Sequence, residues 1–177
     1  NELTDKEKTS GLQLTDQVVR NRIVNSNLLK AIKSNPAPLY HNDFKNRIRT
    51  GNLNDDLSKI ADVDWIIEVV VERLDIKQKV FEQIEKHRTA GTLITSNTSG
   101  IPIAMMNKGR SEDFQHHFAV THFFNPPRYL KLFEVIPGPN CLPDVTSFLM
   151  DYGRTFLGKS AVLAKDTPAF IGNRIGI

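Results

Sequence analysis

A histidine and a glutamate in two neighbouring apolar runs are the first residues whose types and spacing suggest chemistry. In THFFNPPRYLKLFEVIPG, residues 121–138, His122 ends one apolar run and Glu134 lies inside the next, between Phe133 and Val135. If the two runs are strands lying side by side, the carboxylate orients the imidazole and makes it a better proton acceptor. Two alternatives remain open at this point: His122 as a structural core histidine, and Glu134 as a residue of a solvated strand face.

Two more polar segments follow strand-like runs. SNTSG, residues 96–100, carries amide and hydroxyl groups, including Asn97 and Ser99, that can bind a ligand carbonyl or ribose. The same residue types form a routine helix N-cap. KDTPAFIGNR, residues 165–174, predicts a proline-initiated helix after a strand. Asn173 would lie inside that helix, where asparagine is not intrinsically favoured, which indicates a task for its side chain.

The elements that must position these residues alternate between strand and helix patterns from about residue 59 onward. The pattern predicts an α/β fold with a doubly wound parallel sheet, followed by strands that pair without a full crossover. DWIIEVVV, residues 64–71, is a β-branched run that predicts a strand buried on both faces. Ligands of such sheets bind beyond the carboxyl ends of the strands, where these polar clusters collect. We therefore expect one active-site crevice.

Residues 1–58 read as a helical and irregular segment that precedes the catalytic core at 59–177. LTDQVVRNRIVNSNLLKAIKS, residues 14–34, predicts one helix, and RIRTGN, residues 47–52, is a short strand candidate.

Composition restricts the class of protein. The 177 residues are 40% hydrophobic and 24% charged, with a formal net charge of +3. This small charge, with acids among the bases, does not indicate a nucleic-acid partner. No apolar stretch reaches the length of a membrane span. The single cysteine, Cys141, excludes an internal disulfide and fits a reducing compartment, so we expect a cytoplasmic protein. We assign no metal ligands.

Four motifs resemble one family. DWIIEVVVERLDIKQKVF, SNTSGIPI, THFFNPPRYLKLFEVIPG and AKDTPAFIGNR are similar, in order and spacing, to the dinucleotide-binding domain of the L-3-hydroxyacyl-CoA dehydrogenases of fatty-acid β-oxidation. The variants look most like the bacterial multidomain form. The resemblance implies a Rossmann-like sheet, NAD as cofactor, an acyl-CoA substrate, and oxidation of L-3-hydroxyacyl-CoA to 3-ketoacyl-CoA.

The resemblance also implies roles for individual residues. His122 would take the proton of the substrate 3-hydroxyl, and Glu134 would stabilise the imidazolium. Ser99 and Asn173 would hold the substrate oxygen, with Ser99 also bordering the nicotinamide. The remaining implied residues, assigned to the cofactor and its surroundings, are Glu72, Lys77, Asn97 and Asn125.

Two parts of the family pattern have no counterpart in this sequence. The family opens with a strand and a G-x-G-x-x-G turn for the pyrophosphate, and it continues past NRIGI into a helical domain. We therefore expect an incomplete Rossmann-like domain, cut on both sides of its catalytic core. Alone, it should bind NAD weakly, turn over little substrate and tend to self-associate through an exposed sheet edge.

Two alternative functions remain. One is an oxidoreductase of related fold that acts on a small hydroxy acid, and the HFFNP stretch with the His–Glu spacing argues against it. The other is a binding or scaffolding module without catalysis, which the joint presence of His122, Glu134, Ser99 and Asn173 argues against.

Overall fold

The structure, a computed structural model, describes residues 2–176. The chain divides into two compact units, residues 1–58 and 59–177. The first unit is helical. Its helices are α1 (Asp5–Thr9), α2 (Gln17–Arg20) and α3 (Arg22–Ile32), with a 3₁₀ helix at Asn42–Arg47. A second 3₁₀ helix covers Leu57–Asp62.

Polar side-chain contacts stabilise the helices and loops of the first unit. Thr4 and Glu7 form a capping box at the start of α1, in which each side chain accepts a hydrogen bond from the other residue's backbone N–H. The Arg20 guanidinium binds both carboxylate oxygens of Asp55, with the shorter contact at 2.5 Å. The single helix predicted over 14–34 is wrong in detail, because the chain is interrupted at Asn21 between α2 and α3. The strand candidate at 47–52 is also wrong, since its residues form the end of a 3₁₀ helix and irregular backbone.

The second unit is a five-stranded sheet with helices on both faces. Its strands are β1 (Trp65–Glu68), β2 (Leu93–Ser96), β3 (Phe118–Phe123), β4 (Leu132–Pro137) and β5 (Ser160–Leu163). Its helices are α4 (Leu74–His87), α5 (Ile103–Asn107), α6 (Glu112–His116), α7 (Pro143–Thr155) and α8 (Gly172–Ile175). The spatial order is β1-β2-β3-β4-β5. The first three strands are parallel, β4 is antiparallel to β3, and β5 is parallel to β4. The predicted α/β class with additional C-terminal strands is confirmed. The pairing without a full crossover holds for β3 and β4, whereas β5 is parallel to β4 and follows a crossover through α7.

Successive side chains along the strands alternate between the two faces of the sheet and form one hydrophobic cluster on each face. Phe118 and Val120 join a cluster with residues of α4, α5 and α6 on one face. Ala119, between them, joins a cluster with Phe133 and Leu149 on the opposite face, under α7. Because successive side chains of a strand point to opposite faces, the two clusters lie on either side of the sheet. His122 therefore shares a face with Val120, Phe118 and helices α4 to α6.

The first strand departs from its prediction. Within the described chain β1 pairs with β2 alone and lies at the edge of the sheet. It ends at Glu68, and Ile67, Val69 and Val71 are 43%, 67% and 59% exposed. The expectation of a strand buried on both faces was wrong, because such burial requires elements packed over each face and Ile67 of β1 is left 43% exposed.

Candidate active site

His122 and Glu134 face each other across the antiparallel pair of β3 and β4. They are direct register partners, and His122 Nδ1 lies 2.7 Å from Glu134 Oε2. The side chains are only 6% and 0% exposed. A carboxylate can only accept a hydrogen bond, so Nδ1 carries the proton and donates it to Oε2. The lone pair then lies on Nε2, and the imidazole can take a proton there.

The second carboxylate oxygen of Glu134 is also occupied. Oε1 accepts hydrogen bonds from the backbone N–H groups of Ile171 and Gly172, each at 2.8 Å. Three donors therefore surround a fully buried carboxylate, which offsets the cost of removing it from water. The contact joins β4 to the segment that carries Asn173.

Two aromatic rings flank the imidazole. The Phe124 ring centroid lies 4.4 Å from that of His122, and the Phe170 centroid lies 5.8 Å away in an edge-on arrangement. These rings limit the rotation of His122 about its side-chain bonds and keep water from the buried pair.

A buried ion pair stands at the carboxyl end of β1. The Lys77 ammonium lies 2.9 Å from both carboxylate oxygens of Glu68, and both side chains are 1% exposed. The Ser96 hydroxyl and the Val70 N–H also donate to Glu68. A further contact at 3.5 Å joins the ammonium to Glu72. Lys77 is thus engaged by protein carboxylates, and its predicted contact with a cofactor stays a prediction.

Glu72 lies at the mouth of this region, with its side chain 45% exposed. One of its oxygens accepts hydrogen bonds from the Thr98 hydroxyl and from the Ser99 N–H, the latter at 3.0 Å. Partial burial acts to raise the pKa of Glu72, but these two hydrogen bonds and the Lys77 ammonium outweigh it and lower that pKa below its ordinary value. The second oxygen faces Lys77. Together these contacts stabilise the charged form of Glu72.

Asn97 and Asn125 line one cleft at the carboxyl ends of β1, β2 and β3. Asn97 Oδ1 accepts a hydrogen bond from the Phe123 N–H at 2.8 Å, which fixes its side chain. The cleft has a volume of about 370 Å³ and its remaining walls are Ile67, Val69, Phe123 and Pro127. It offers apolar surface with two amide side chains.

Ser99 and Asn173 are both exposed, in the loop after β2 and in α8 respectively. The two segments lie close together at Gly100 and Ala169. A Cβ added to Gly100 would be 3.7 Å from the Ala169 nitrogen. Asp166 Oδ2 also accepts the Ile103 N–H at 2.9 Å, which ties the KDTP segment to the start of α5. Neither the Ser99 nor the Asn173 side chain hydrogen-bonds to the His122–Glu134 pair within residues 2–176. Their predicted action on a substrate oxygen stays a prediction.

In the KDTPAFIGNR motif, residues 165–174, the helix begins later than the sequence predicts. Helix α8 does not start at Pro168 but at Gly172, because Ala169 and Phe170 are left-handed, with φ of 63° and 48°. Asn173 is inside the helix as predicted.

Sequence reasoning missed several residues of the site. Two of them are Glu68, which pairs with the Lys77 ammonium, and Ser96, which donates a hydrogen bond to Glu68. The others are the backbone N–H groups of Ile171 and Gly172, which donate to Glu134. Glu68 had a signal, since a carboxylate inside an apolar strand needs a partner. The backbone donors had none, because any residue except proline carries an N–H group.

Among residues 2–176 no group of three His, Cys, Asp or Glu side chains is placed to hold a metal ion. The Glu72 side chain is 45% exposed and binds the Ser99 N–H, and a carboxylate at such a surface position has the chemistry to accept hydrogen bonds from sugar hydroxyls. Of the helices described, none is long and apolar enough to cross a bilayer.

Comparison with known proteins gives the relationship directly. Residues 8–167 match the family model described as 3-hydroxyacyl-CoA dehydrogenase, NAD binding domain. A probable 3-hydroxyacyl-CoA dehydrogenase from Bacillus subtilis is 48% identical over 99% of this chain and 22% of its own length. One from Deinococcus radiodurans is 44% identical over 93% of this chain and 47% of its own. The chain thus spans less than half the length of these relatives.

Solved structures agree with the sequence relatives. The crystal structure of the (S)-3-hydroxybutyryl-CoA dehydrogenase from Ralstonia eutropha matches with a TM-score of 0.67 at 27% identity. The match covers 87% of this chain and 53% of that one. The sheet is therefore Rossmann-like, as predicted, and NAD is the cofactor of this domain type. The chain belongs to the NAD-binding domain family of the 3-hydroxyacyl-CoA dehydrogenases.

Proposed function

We propose that this chain supplies the catalytic core of an NAD-dependent L-3-hydroxyacyl-CoA dehydrogenase of fatty-acid β-oxidation. The observation that carries the proposal is the buried His122–Glu134 pair, in which His122 Nδ1 lies 2.7 Å from Glu134 Oε2. With the proton on Nδ1, Nε2 would be the proton acceptor. All the candidate site residues lie in the second unit, residues 59–177, so we assign catalysis to that unit. The cytoplasm, where Cys141 would stay reduced, is the proposed location.

The proposed reaction removes one hydride and one proton from the substrate alcohol. NAD, when bound, accepts the hydride from the carbon that carries the hydroxyl. His122 Nε2 takes the hydroxyl proton, the C–O bond becomes a carbonyl, and the imidazole becomes an imidazolium. Glu134 then stabilises the positive charge through the Nδ1–H hydrogen bond. Ser99 and Asn173 would hold the substrate oxygen with their side chains.

The cofactor region would use the residues at the ends of β1 to β3. Glu72 would accept ribose hydroxyls, and Asn97 and Asn125 would border the nicotinamide from the cleft. Lys77 would act here through its contact with Glu72. Support for this part is the lowered pKa of Glu72, which keeps a charged acceptor at the rim.

The decisive experiment uses the full-length protein that carries this sequence. Turnover of acetoacetyl-CoA with NADH is followed by the absorbance of NADH, beside a panel of small keto acids. A general base contributes about 10²–10⁴-fold, so His122→Gln should lower kcat by about that factor while NAD affinity is retained. His87→Gln, at the end of α4, is the matched control and should keep normal turnover. Near-normal turnover in His122→Gln would end the assignment, and turnover of the keto acids alone would favour a small hydroxy-acid enzyme.

We also propose that a polypeptide of these 177 residues alone is a poor enzyme. The sequence contains no G-x-G-x-x-G turn, so the backbone donors that receive a pyrophosphate in this fold class are missing. The free edge of β1, with exposed Ile67 and Val69 beside it, would favour pairing with a second copy.

A further inference from the structure

The turn before α8 holds an uncommon backbone conformation. Ala169 and Phe170, two residues with side chains, both have positive φ, at 63° and 48°. A Cβ at such φ crowds the backbone, so residues with a side chain rarely adopt this region, asparagine and aspartate being the commonest exceptions. Strained backbone of this kind persists where the surroundings over-determine it, often at functional sites.

The turn brings two backbone donors to one buried oxygen. The N–H groups of Ile171 and Gly172 follow the left-handed residues directly, and both reach Glu134 Oε1 at 2.8 Å. Glu134 lies 37 and 38 residues earlier in the chain, so the contact depends on how the turn is folded. Without it, Oε1 would be a buried carboxylate oxygen with no partner, since His122 occupies Oε2.

The same turn also contacts the imidazole. Phe170 is 2% exposed and its ring packs edge-on against His122. A Cβ on Gly172 would come within 2.5 Å of Cζ of Phe124, the second ring that packs against His122. Glycine at 172 thus allows the turn to lie close enough for its N–H to reach Glu134.

We propose that the left-handed turn at Ala169 and Phe170 positions the catalytic pair by aiming the Ile171 and Gly172 N–H groups at Glu134. Ala169 and Phe170 are positioning residues, since they act through Glu134 and through the backbone. This inference rests on the proposed role of His122 as the base. Its consequence is that kcat depends on whether residue 169 tolerates positive φ, and not on the size of its side chain.

Asparagine and threonine at position 169 have side chains of nearly equal size but differ in their tolerance of positive φ. Asparagine is well tolerated at positive φ, whereas the β-branched side chain of threonine is not. In the full-length protein, Ala169→Thr should lower kcat by about 10- to 100-fold, the effect of losing hydrogen bonds to a charged group. Ala169→Asn should stay within about twofold of the parent. In both variants the KM for acetoacetyl-CoA and the dissociation constant for NAD should change little.

Hydrogen exchange gives a readout that does not depend on activity. Amide exchange in a peptide covering 169–174 should accelerate in Ala169→Thr and stay slow in Ala169→Asn. Peptides from α7, which packs on the opposite face of the sheet, report whether the fold is intact. If Ala169→Thr does not fold, Ala169→Gly replaces it: glycine adopts positive φ without strain, so its kcat should stay within about twofold of the parent although the side chain is removed.

The outcomes distinguish this proposal from the assignment of the base. Equal kcat in Ala169→Asn and Ala169→Thr, a kcat of Ala169→Gly well below that of the parent, or a loss confined to KM overturns the positioning role of the turn. Near-normal turnover in His122→Gln instead overturns the proposed function itself. A lower kcat in Ala169→Thr with a retained kcat in Ala169→Asn, together with faster amide exchange at residues 169–174 in the Thr variant, supports the inference.

Discussion

The buried pair of Lys77 and Glu68 provides a sharp test of how the carboxyl end of β1 and helix α4 are held together. Both side chains are 1% exposed, and the ammonium contacts both carboxylate oxygens at 2.9 Å. In Lys77→Met the stem of the side chain is kept and the charge is removed. The Glu68 carboxylate then retains only the Ser96 hydroxyl and the Val70 N–H as donors.

The expected cost of Lys77→Met is large. Removing one partner of a buried ion pair leaves an uncompensated charge and typically destabilises a protein by about 3–5 kcal/mol. The matched control is Lys86→Met on the same helix, where Lys86 contacts Glu82 at 2.7 Å with 55% and 48% of the side chains exposed. An exposed pair of this kind contributes about 0–1 kcal/mol, so the control should be nearly neutral.

A double-mutant cycle separates the pair from its surroundings. Glu68→Gln alone leaves the Lys77 ammonium with Glu72 as its remaining carboxylate, at 3.5 Å, and should also destabilise. The double variant removes both charges while glutamine keeps an acceptor for Ser96. It should therefore cost clearly less than the sum of the two single variants.

The measurement is pulsed hydrogen exchange across a urea series in the full-length protein, read on peptides from β1 and α4. Peptide-level readout is chosen because global unfolding of a longer protein is not a two-state process. If the costs of the two single variants simply add, or if Lys77→Met is as mild as Lys86→Met, the ion pair does not hold this region together.

Three further predictions follow from other parts of the structure. Gly153→Ala should destabilise by about 1–3 kcal/mol, because its Cβ would lie 2.7 Å from the Phe133 ring, while Gly100→Ala, with its nearest atom at 3.7 Å, should be nearly neutral in the same urea series. Because the folded-state pKa of Glu72 is lowered, its contribution to stability is present above its unfolded value of 4.5 and is lost as pH falls through the folded value. The urea midpoint of Glu72→Gln should therefore be lower than that of the parent at pH 7 and converge with it in more acidic solution, and equal midpoints at pH 7 would contradict this. The isolated 177-residue polypeptide should show weak NAD binding by isothermal titration and self-association by light scattering, whereas micromolar binding by a clean monomer would refute the proposal.

The chemistry at the strand ends was accessible from the sequence. Residue types and hydrophobic periodicity are local properties, and they placed His122 and Glu134 on two strands and the polar motifs at strand ends. The motif spacing also indicated the family, which the comparisons confirm. The α/β class followed from the same alternation, because strand and helix patterns differ in period.

The sequence by itself misjudged features that depend on neighbours distant in the chain. DWIIEVVV predicts a strand buried on both faces, yet β1 covers only Trp65–Glu68, and Ile67 and Val69 are exposed. The exposed sheet edge, by contrast, was expected. Nothing in the residue type or spacing of Lys77 indicates a buried partner, and only the approach of α4 to β1 brings its ammonium to Glu68.

The tertiary structure alone decided which atoms meet. The hydrogen bond between His122 and Glu134 spans 12 residues and depends on the β3–β4 register, since a slip of one residue would put the two side chains on opposite faces. The donors from Ile171 and Gly172 have no signature in residue type, because they are backbone groups presented by a left-handed turn. Residue identity determines which chemical groups are present, whereas their convergence depends on strand register and backbone dihedral angles, which contacts across the whole fold select.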